Sequence, residues 1–201
     1  MPNTLTFTLK LRAAALALWV SLAQTADAQQ PVQPTAPVTP MTSVAPFAPI
    51  PTLDVPRYMG TWFEIAKFPN RFQRKCVRNT SAEYALQGDG SVQVVNRCRT
   101  AQGDTIEAIG QARQLGAATS PKLEVRFAPA WLSFLPMVWG DYWVIDLDAR
   151  YQLVAVSEPR REYLWVLSRA PQVDAQTYQA LLGRLTQQGF DIGRLERTRQ
   201  D

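Results

Sequence analysis

Between residues 59 and 169 apolar and polar side chains alternate with a period of two, in short runs separated by turn chemistry. That is the pattern of antiparallel strands with one wet and one dry face. Met59 to Phe68 forms the first run, stopped by Pro69-Asn70. Runs at 79–87 and 91–98 flank Gly88-Asp89-Gly90, a loop suited to positive φ, which predicts a hairpin. Runs at 104–113 and 122–127 are joined through Gly116 and Pro121, and runs at 142–147 and 151–157 through Asp148-Ala149-Arg150. Residues 162–169 make the eighth. Eight sequential strands predict an all-β fold, an eight-stranded antiparallel up-and-down β-barrel. Closure removes both sheet edges and leaves an interior wide enough for one small ligand. The period then changes to that of a helix: Asp174 stands at the N-cap position, Tyr178, Leu181, Leu182 and Leu185 form one apolar stripe, and Gly189 ends it. This C-terminal α-helix is expected to pack on the outside of the barrel.

The pattern before residue 57 is different. Lys10 and Arg12, the apolar run from Ala13 to Leu22 and the small residues Ala26-Asp27-Ala28 read as an export signal over residues 1–28. The apolar run is too short to span a bilayer comfortably. No cysteine lies near the cleavage site, so lipid attachment there is not expected. Residues 29–56 carry prolines at 31, 34, 37, 40, 46, 49, 51 and 56 and read as a semi-rigid, proline-rich linker. The barrel domain is then 57–201, in a protein exported to the periplasm or secreted.

Composition narrows the chemistry. Apolar residues make up 46% and charged ones 19%, enough for a packed core without a bias to disorder. The 21 Lys and Arg against 17 Asp and Glu leave a surplus of +4, too small and too scattered for a nucleic-acid partner. Histidine is absent, which removes Ser-His-Asp and Cys-His catalysis, His-ligated haem and ordinary zinc sites. No cofactor, metal or catalytic residue is expected, and the chain reads as a binding protein.

Three motifs carry a family resemblance. Gly60-Thr61-Trp62 followed by Phe63-Glu64-Ile65-Ala66-Lys67-Phe68 resembles the first-strand signature of lipocalins, in particular their bacterial and apolipoprotein D-like branch. The run Tyr142 to Asp148 with Tyr151, and then Tyr163 to Arg169, is similar to the same branch in order and spacing. The helix ending in Gly189-Phe190-Asp191 agrees. The resemblance spans nearly all of residues 57 to 198. It implies that Trp62 plugs the closed end and that Arg169 stacks across its ring, so both are residues of the fold. Gly60 lets the chain bend sharply into the floor, where a Cβ would crowd its neighbours. Lipid-anchored relatives carry a cysteine after the leader, which this chain lacks.

Cys76 and Cys98 are the two cysteines of the sequence. In a meander barrel they fall at the same end of one hairpin, where the second strand begins and the third ends, so a disulfide is expected. The competing reading is a reactive thiol, as in lipocalins that isomerise prostaglandins.

Connections alternate between the two ends of such a barrel. The open end should gather the loop with Arg71, Arg74, Lys75 and Arg78, the apolar stretch Trp131 to Trp139 with Phe134 at its middle, and the turn with Arg160 and Arg161. A rim with apolar and cationic parts suits an amphiphile with a negative head, such as a fatty acid or lysophospholipid, or transient contact with a membrane surface. The bland reading folds 131–139 inward as a lid and leaves the arginines as solvated charges. Tyr163, Trp165 and Leu167 share one face of the eighth strand, and the resemblance places Trp165 inside. Glu64 has the parity of Trp62 and points inward, either as a ligand contact or satisfied by a nearby tyrosine. The leading function is binding, transport or storage of a lipid-like molecule in the cell envelope. A protein-interaction or envelope-structural role, and an isomerase using Cys76 or Glu64, stay open as alternatives.

Overall fold

The computed structural model describes residues 47–201; the expected leader and most of the proline-rich stretch lie outside the described residues. Eight antiparallel strands close into a barrel: β1 (Gly60–Lys67), β2 (Arg78–Leu86), β3 (Val92–Arg99), β4 (Thr105–Gln114), β5 (Lys122–Arg126), β6 (Gly140–Leu147), β7 (Leu153–Ser157) and β8 (Leu164–Ser168). Each pairs with its sequence neighbour, and β1 pairs with both β2 and β8. Two helices and a ninth strand complete the unit: α1 (Val55–Tyr58), α2 (Ala175–Gln187) and β9 (Glu196–Arg197). Among the described residues no helix is long and apolar enough to cross a membrane.

Strand alternation sorts the apolar residues into two cores. The inner one holds Trp62, Tyr84, Val94, Leu123, Val154 and Leu167. The outer one holds Ile65, Phe68, Ile145 and Val166 against Tyr178, Leu181 and Leu185 of α2. The stripe therefore packs on the outer wall, as its spacing predicts. Asp174 caps α2 by accepting from the Thr177 amide at 2.9 Å, and Gly189 takes φ +83° beyond its end. Arg184 grips Asp146 of β6 with two bonds of 2.6 and 2.9 Å and fixes the helix to the wall.

A bulge between Glu64 and Ala66 matters for the interior. It inserts one residue, so Ile65 and Ala66 both face the helix, while Glu64 before it and Lys67 after it face inward. Lys67 thereby lies opposite Trp165.

Two segments differ from the sequence reading. Residues 47–56, assigned to the linker, pack on the barrel: Ile50 donates to the Val144 carbonyl at 2.9 Å, Leu53 to Thr119 at 2.8 Å, and Leu53 and Val55 are buried. The prolines interleave with residues whose amides are free to pair, and Pro56 occupies the first turn of α1, where a missing N–H costs nothing. The folded unit thus reaches back at least to Phe47, which stacks on Trp143. The second difference is β9. It runs beside β1 at the open end, where β2 has diverged, and Gln200 bridges the Glu64 and Thr80 carbonyls at 2.8 Å each. The segment after α2 fills the seam between the first two strands.

Candidate functional site

The closed end is built around one tryptophan. Gly60 adopts φ +92°, a conformation strained for any residue with a Cβ, and an added Cβ would meet Nη1 of Arg169 at 3.3 Å. Trp62 is completely buried, and the Arg169 guanidinium carbon sits 4.0 Å from its ring centroid. Arg169 also donates to the carbonyls of Thr61, Arg57 and Tyr58 at 2.9, 3.1 and 3.1 Å. The last two belong to the end of α1, whose carbonyls lack helical partners, and Trp62 Nε1 donates to Tyr58 as well. One cation thus ties α1, β1 and β8 together.

Above the tryptophan lie three tyrosines that the sequence reading did not single out. Tyr58 comes from α1, Tyr84 from β2 and Tyr142 from β6. Their hydroxyls form a chain, Tyr58 to Tyr142 at 2.8 Å and Tyr142 to Tyr84 at 3.0 Å. Burial pushes the Tyr84 hydroxyl up to about 12 and those of Tyr58 and Tyr142 well above their ordinary value, so all three stay protonated. Strand alternation alone could have flagged Tyr84, which shares a face with Ala82, the partner of Trp62. Tyr58 lies outside the strands and gave no periodic signal.

The inner wall is apolar and opens to solvent at one end. Val92 and Val94 of β3 face Ala112 and Gly110 of β4, and the next pair is Asn96 with Ala108. Along β4 burial falls from Ala112 through Gly110 to Ala108, which is exposed. Phe127 follows β5 with its ring over Gly110 and is itself 45% exposed.

At the mouth Glu64 is buried, and its partners are not tyrosines. Gln73 of the β1–β2 loop donates to one carboxylate oxygen, and Thr198, just past β9, donates to the other. Burial nevertheless raises the Glu64 carboxyl above its ordinary range, outweighing those two bonds and the charge of Lys67. Gln73 in turn accepts from Trp165 Nε1 at 3.0 Å and from Asn70 at 2.7 Å, while Lys67 pairs with Glu196 at 2.8 Å. Leu167 is buried below Trp165 on the same face. Tyr163 stacks on Trp165 with centroids 5.7 Å apart, and Phe72 meets Tyr163 at 5.6 Å. The three rings make a ladder from the interior to the rim.

The rim carries Arg71, Arg74 and Lys75, all exposed, with Arg71 lying against Phe72. Arg78 is held apart by Asp201, and Arg160 is exposed beside Glu162. Arg161 turns to the outside, donating to the Gln188 carbonyl. The loop 127–139 divides. Trp131, Phe134 and Met137 are 72, 73 and 85% exposed, so this stretch does not fold inward as a lid. Trp139 belongs to the other side of the wall: its ring lies 4.1 Å from the Arg113 guanidinium and 5.3 Å from that of Arg126, both on outward-facing positions. The structure does not bring Trp139 to the mouth with the other two aromatics, because cationic side chains on the outer face of β4 and β5 hold it there. Cys76 and Cys98 form a disulfide that clamps the start of β2 to the end of β3. Cys76 is then no thiolate nucleophile.

The family described as a lipocalin-like domain matches residues 53–200. Temperature-induced lipocalin-1 of Arabidopsis thaliana is 41% identical over 150 residues, which cover 74% of this chain and 80% of the relative. The outer membrane lipoprotein Blc of Escherichia coli is 37% identical over 142 residues, covering 70% and 76%. Among solved structures, insecticyanin from the tobacco hornworm Manduca sexta superposes with a TM-score of 0.58 at 19% identity, covering 75% of this chain and 82% of that one.

Proposed function

Because this chain belongs to the lipocalin family, whose barrels bind small hydrophobic molecules, we propose that it binds and carries or stores an amphiphile of the fatty-acid or lysophospholipid type in the cell envelope. The observation that carries this reading is the mouth. An apolar inner wall leads through the ladder of Trp165, Tyr163 and Phe72 to a rim bearing Arg71, Arg74 and Lys75. A chain of methylenes is favoured on the wall by about 0.8 kcal/mol for each group buried, and an acidic head is favoured at the cations. The exposed Trp131, Phe134 and Met137 add an apolar tip suited to brief insertion into a membrane surface, where such a ligand is collected or delivered. We assign no catalytic residue, since Cys76 is bridged and Glu64 is covered by Gln73 and Thr198.

We place the protein in the periplasm or outside the cell. The disulfide fits an exported protein.

The test is gentle purification of the exported chain from the host envelope, then native mass spectrometry and solvent extraction. A defined lipid that a fatty acid displaces supports the reading and names the ligand class. An empty protein whose tryptophan fluorescence ignores a panel of lipids overturns it and favours a protein-interaction role. Replacing Trp131, Phe134 and Met137 together by Ser should abolish sedimentation with anionic vesicles and leave fatty-acid binding intact.

A further inference from the structure

We infer that the hydroxyls of Tyr58, Tyr84 and Tyr142 form a second polar subsite inside the barrel, which donates one hydrogen bond to a neutral oxygen on the inner end of the ligand. The inference rests on the amphiphile reading above and adds a requirement at the opposite end of the molecule.

Counting protons carries it. Each hydroxyl offers one donor. The chain Tyr58, Tyr142, Tyr84 contains two hydrogen bonds, so two of its three protons are used. Whichever way the protons are arranged, one O–H is left over, and among the described residues these hydroxyls have no other acceptor. The chain lies against the inner core: Tyr58 and Tyr84 are 2 and 7% exposed among Trp62, Val92, Val94 and Leu123, and Tyr142 is half-buried against the same residues. A buried donor without a partner is costly, whereas phenylalanine would fill the same space at no such cost. Three hydroxyls converging from α1, β2 and β6 therefore mark a place where an acceptor is expected.

The acceptor is neutral. All three tyrosines stay protonated, so they are donors and not bases. Arg169 is committed to the Trp62 face and to the carbonyls of Thr61, Arg57 and Tyr58. Arg57 and Arg150, the neighbouring cations among the described residues, are engaged elsewhere: Arg57 lies over the Tyr151 ring and donates to the Ala149 carbonyl, and Arg150 is exposed beside Asp148. A buried carboxylate would need far more than one O–H. A ketone, ester, ether or hydroxyl oxygen fits. With the cations at the rim, the ligand is a two-ended amphiphile, acidic at the mouth and oxygenated near the far end of its apolar chain.

The probes are hexadecanoic acid and 15-oxohexadecanoic acid, titrated by tryptophan quenching against the exported chain and its Tyr58→Phe/Tyr84→Phe/Tyr142→Phe variant. All three substitutions are needed, because any shorter chain of hydroxyls still leaves one proton spare. The oxo acid's affinity relative to the plain acid should fall about five- to tenfold in the variant, the worth of one buried hydrogen bond, with the plain acid unaffected. A second readout needs only the unsubstituted protein: the infrared band of a ¹³C-labelled ketone in the bound oxo acid should lie at lower wavenumber than in a hydrocarbon solvent. An unchanged affinity ratio, or a ketone band at the hydrocarbon position, overturns the subsite. Failure of both acids to bind the unsubstituted protein overturns the amphiphile reading and the subsite with it.

Discussion

Arg169 offers the sharpest energetic test of how the closed end is held. Removing its side chain deletes the contact with the Trp62 ring at 4.0 Å, for which a partly desolvated cation–π pair gives about 1 to 2 kcal/mol. It also strips three carbonyls of a charged donor, two of them at the unpaired end of α1. Water reaches part of this region, so about 0.5 to 1 kcal/mol for each carbonyl is appropriate. Arg169→Ala should therefore destabilise the barrel by about 3 to 5 kcal/mol, a large share of the roughly 5 to 15 kcal/mol typical of a domain. Arg169→Lys keeps the charge but not the planar fork, which alone reaches the ring and several carbonyls together, and should cost about 2 kcal/mol. The assay is guanidinium denaturation followed by tryptophan fluorescence, with equal slopes required so that midpoints report stability. A Trp62→Phe partner completes a double-mutant cycle, in which a coupling of about 1 kcal/mol or more is expected. If both arginine variants unfold within about 0.5 kcal/mol of the parent, a typical surface substitution, the account of the floor is wrong.

Three further predictions test other parts of the molecule. Gly110→Ala places a methyl group 2.6 Å from the Arg126 carbonyl and 2.7 Å from the Phe127 ring, so it should destabilise by about 1 to 3 kcal/mol in the same denaturation assay; an unchanged midpoint would show that the two strands shift freely. Replacing Cys76 and Cys98 together by Ala opens a bridge between residues 22 apart in sequence and should cost about 3 kcal/mol, with the loss appearing equally when the unsubstituted protein is reduced. Glu64 has its carboxyl raised in the folded state, so the stability it contributes is complete below the ordinary carboxyl range and declines as pH climbs through the raised value. Glu64→Gln, measured by urea midpoints, should gain on the parent as pH rises above the ordinary carboxyl range of about 4, and a pH-independent gap would contradict the assignment.

Period-two alternation located all eight strands to within a few residues, because one face of each is dry and a register slip would expose it. The helix was equally legible from Asp174 and its stripe. What stayed hidden depends on the third dimension. The proline spacing before residue 57 concealed Leu53 and Val55, since composition cannot tell a tether from a strap that pairs through its non-proline amides. The two residues of β9 are too few for any period. Glu64 was rightly placed inward by parity, but its partners come from Gln73 and Thr198, one in a loop and the other 134 residues away. Trp139 looked like its neighbours Trp131 and Phe134, and only the cross-strand positions of Arg113 and Arg126 reveal that it faces another way. The tyrosine chain is the clearest case. Its members lie on three elements, and nothing local joins them.

The seam between β1 and β2 has a consequence for the order of assembly. Hairpins from β2 to β5 close between neighbours in sequence, and such local contacts form quickly. The upper seam waits for Thr198 and Gln200, which bond to Glu64 across 134 and 136 residues, among the longest separations in the barrel. A chain made N-terminus first therefore cannot finish its mouth until β9 and the residues just after it have emerged, and the apolar interior is sealed along that side only after the other strands have formed.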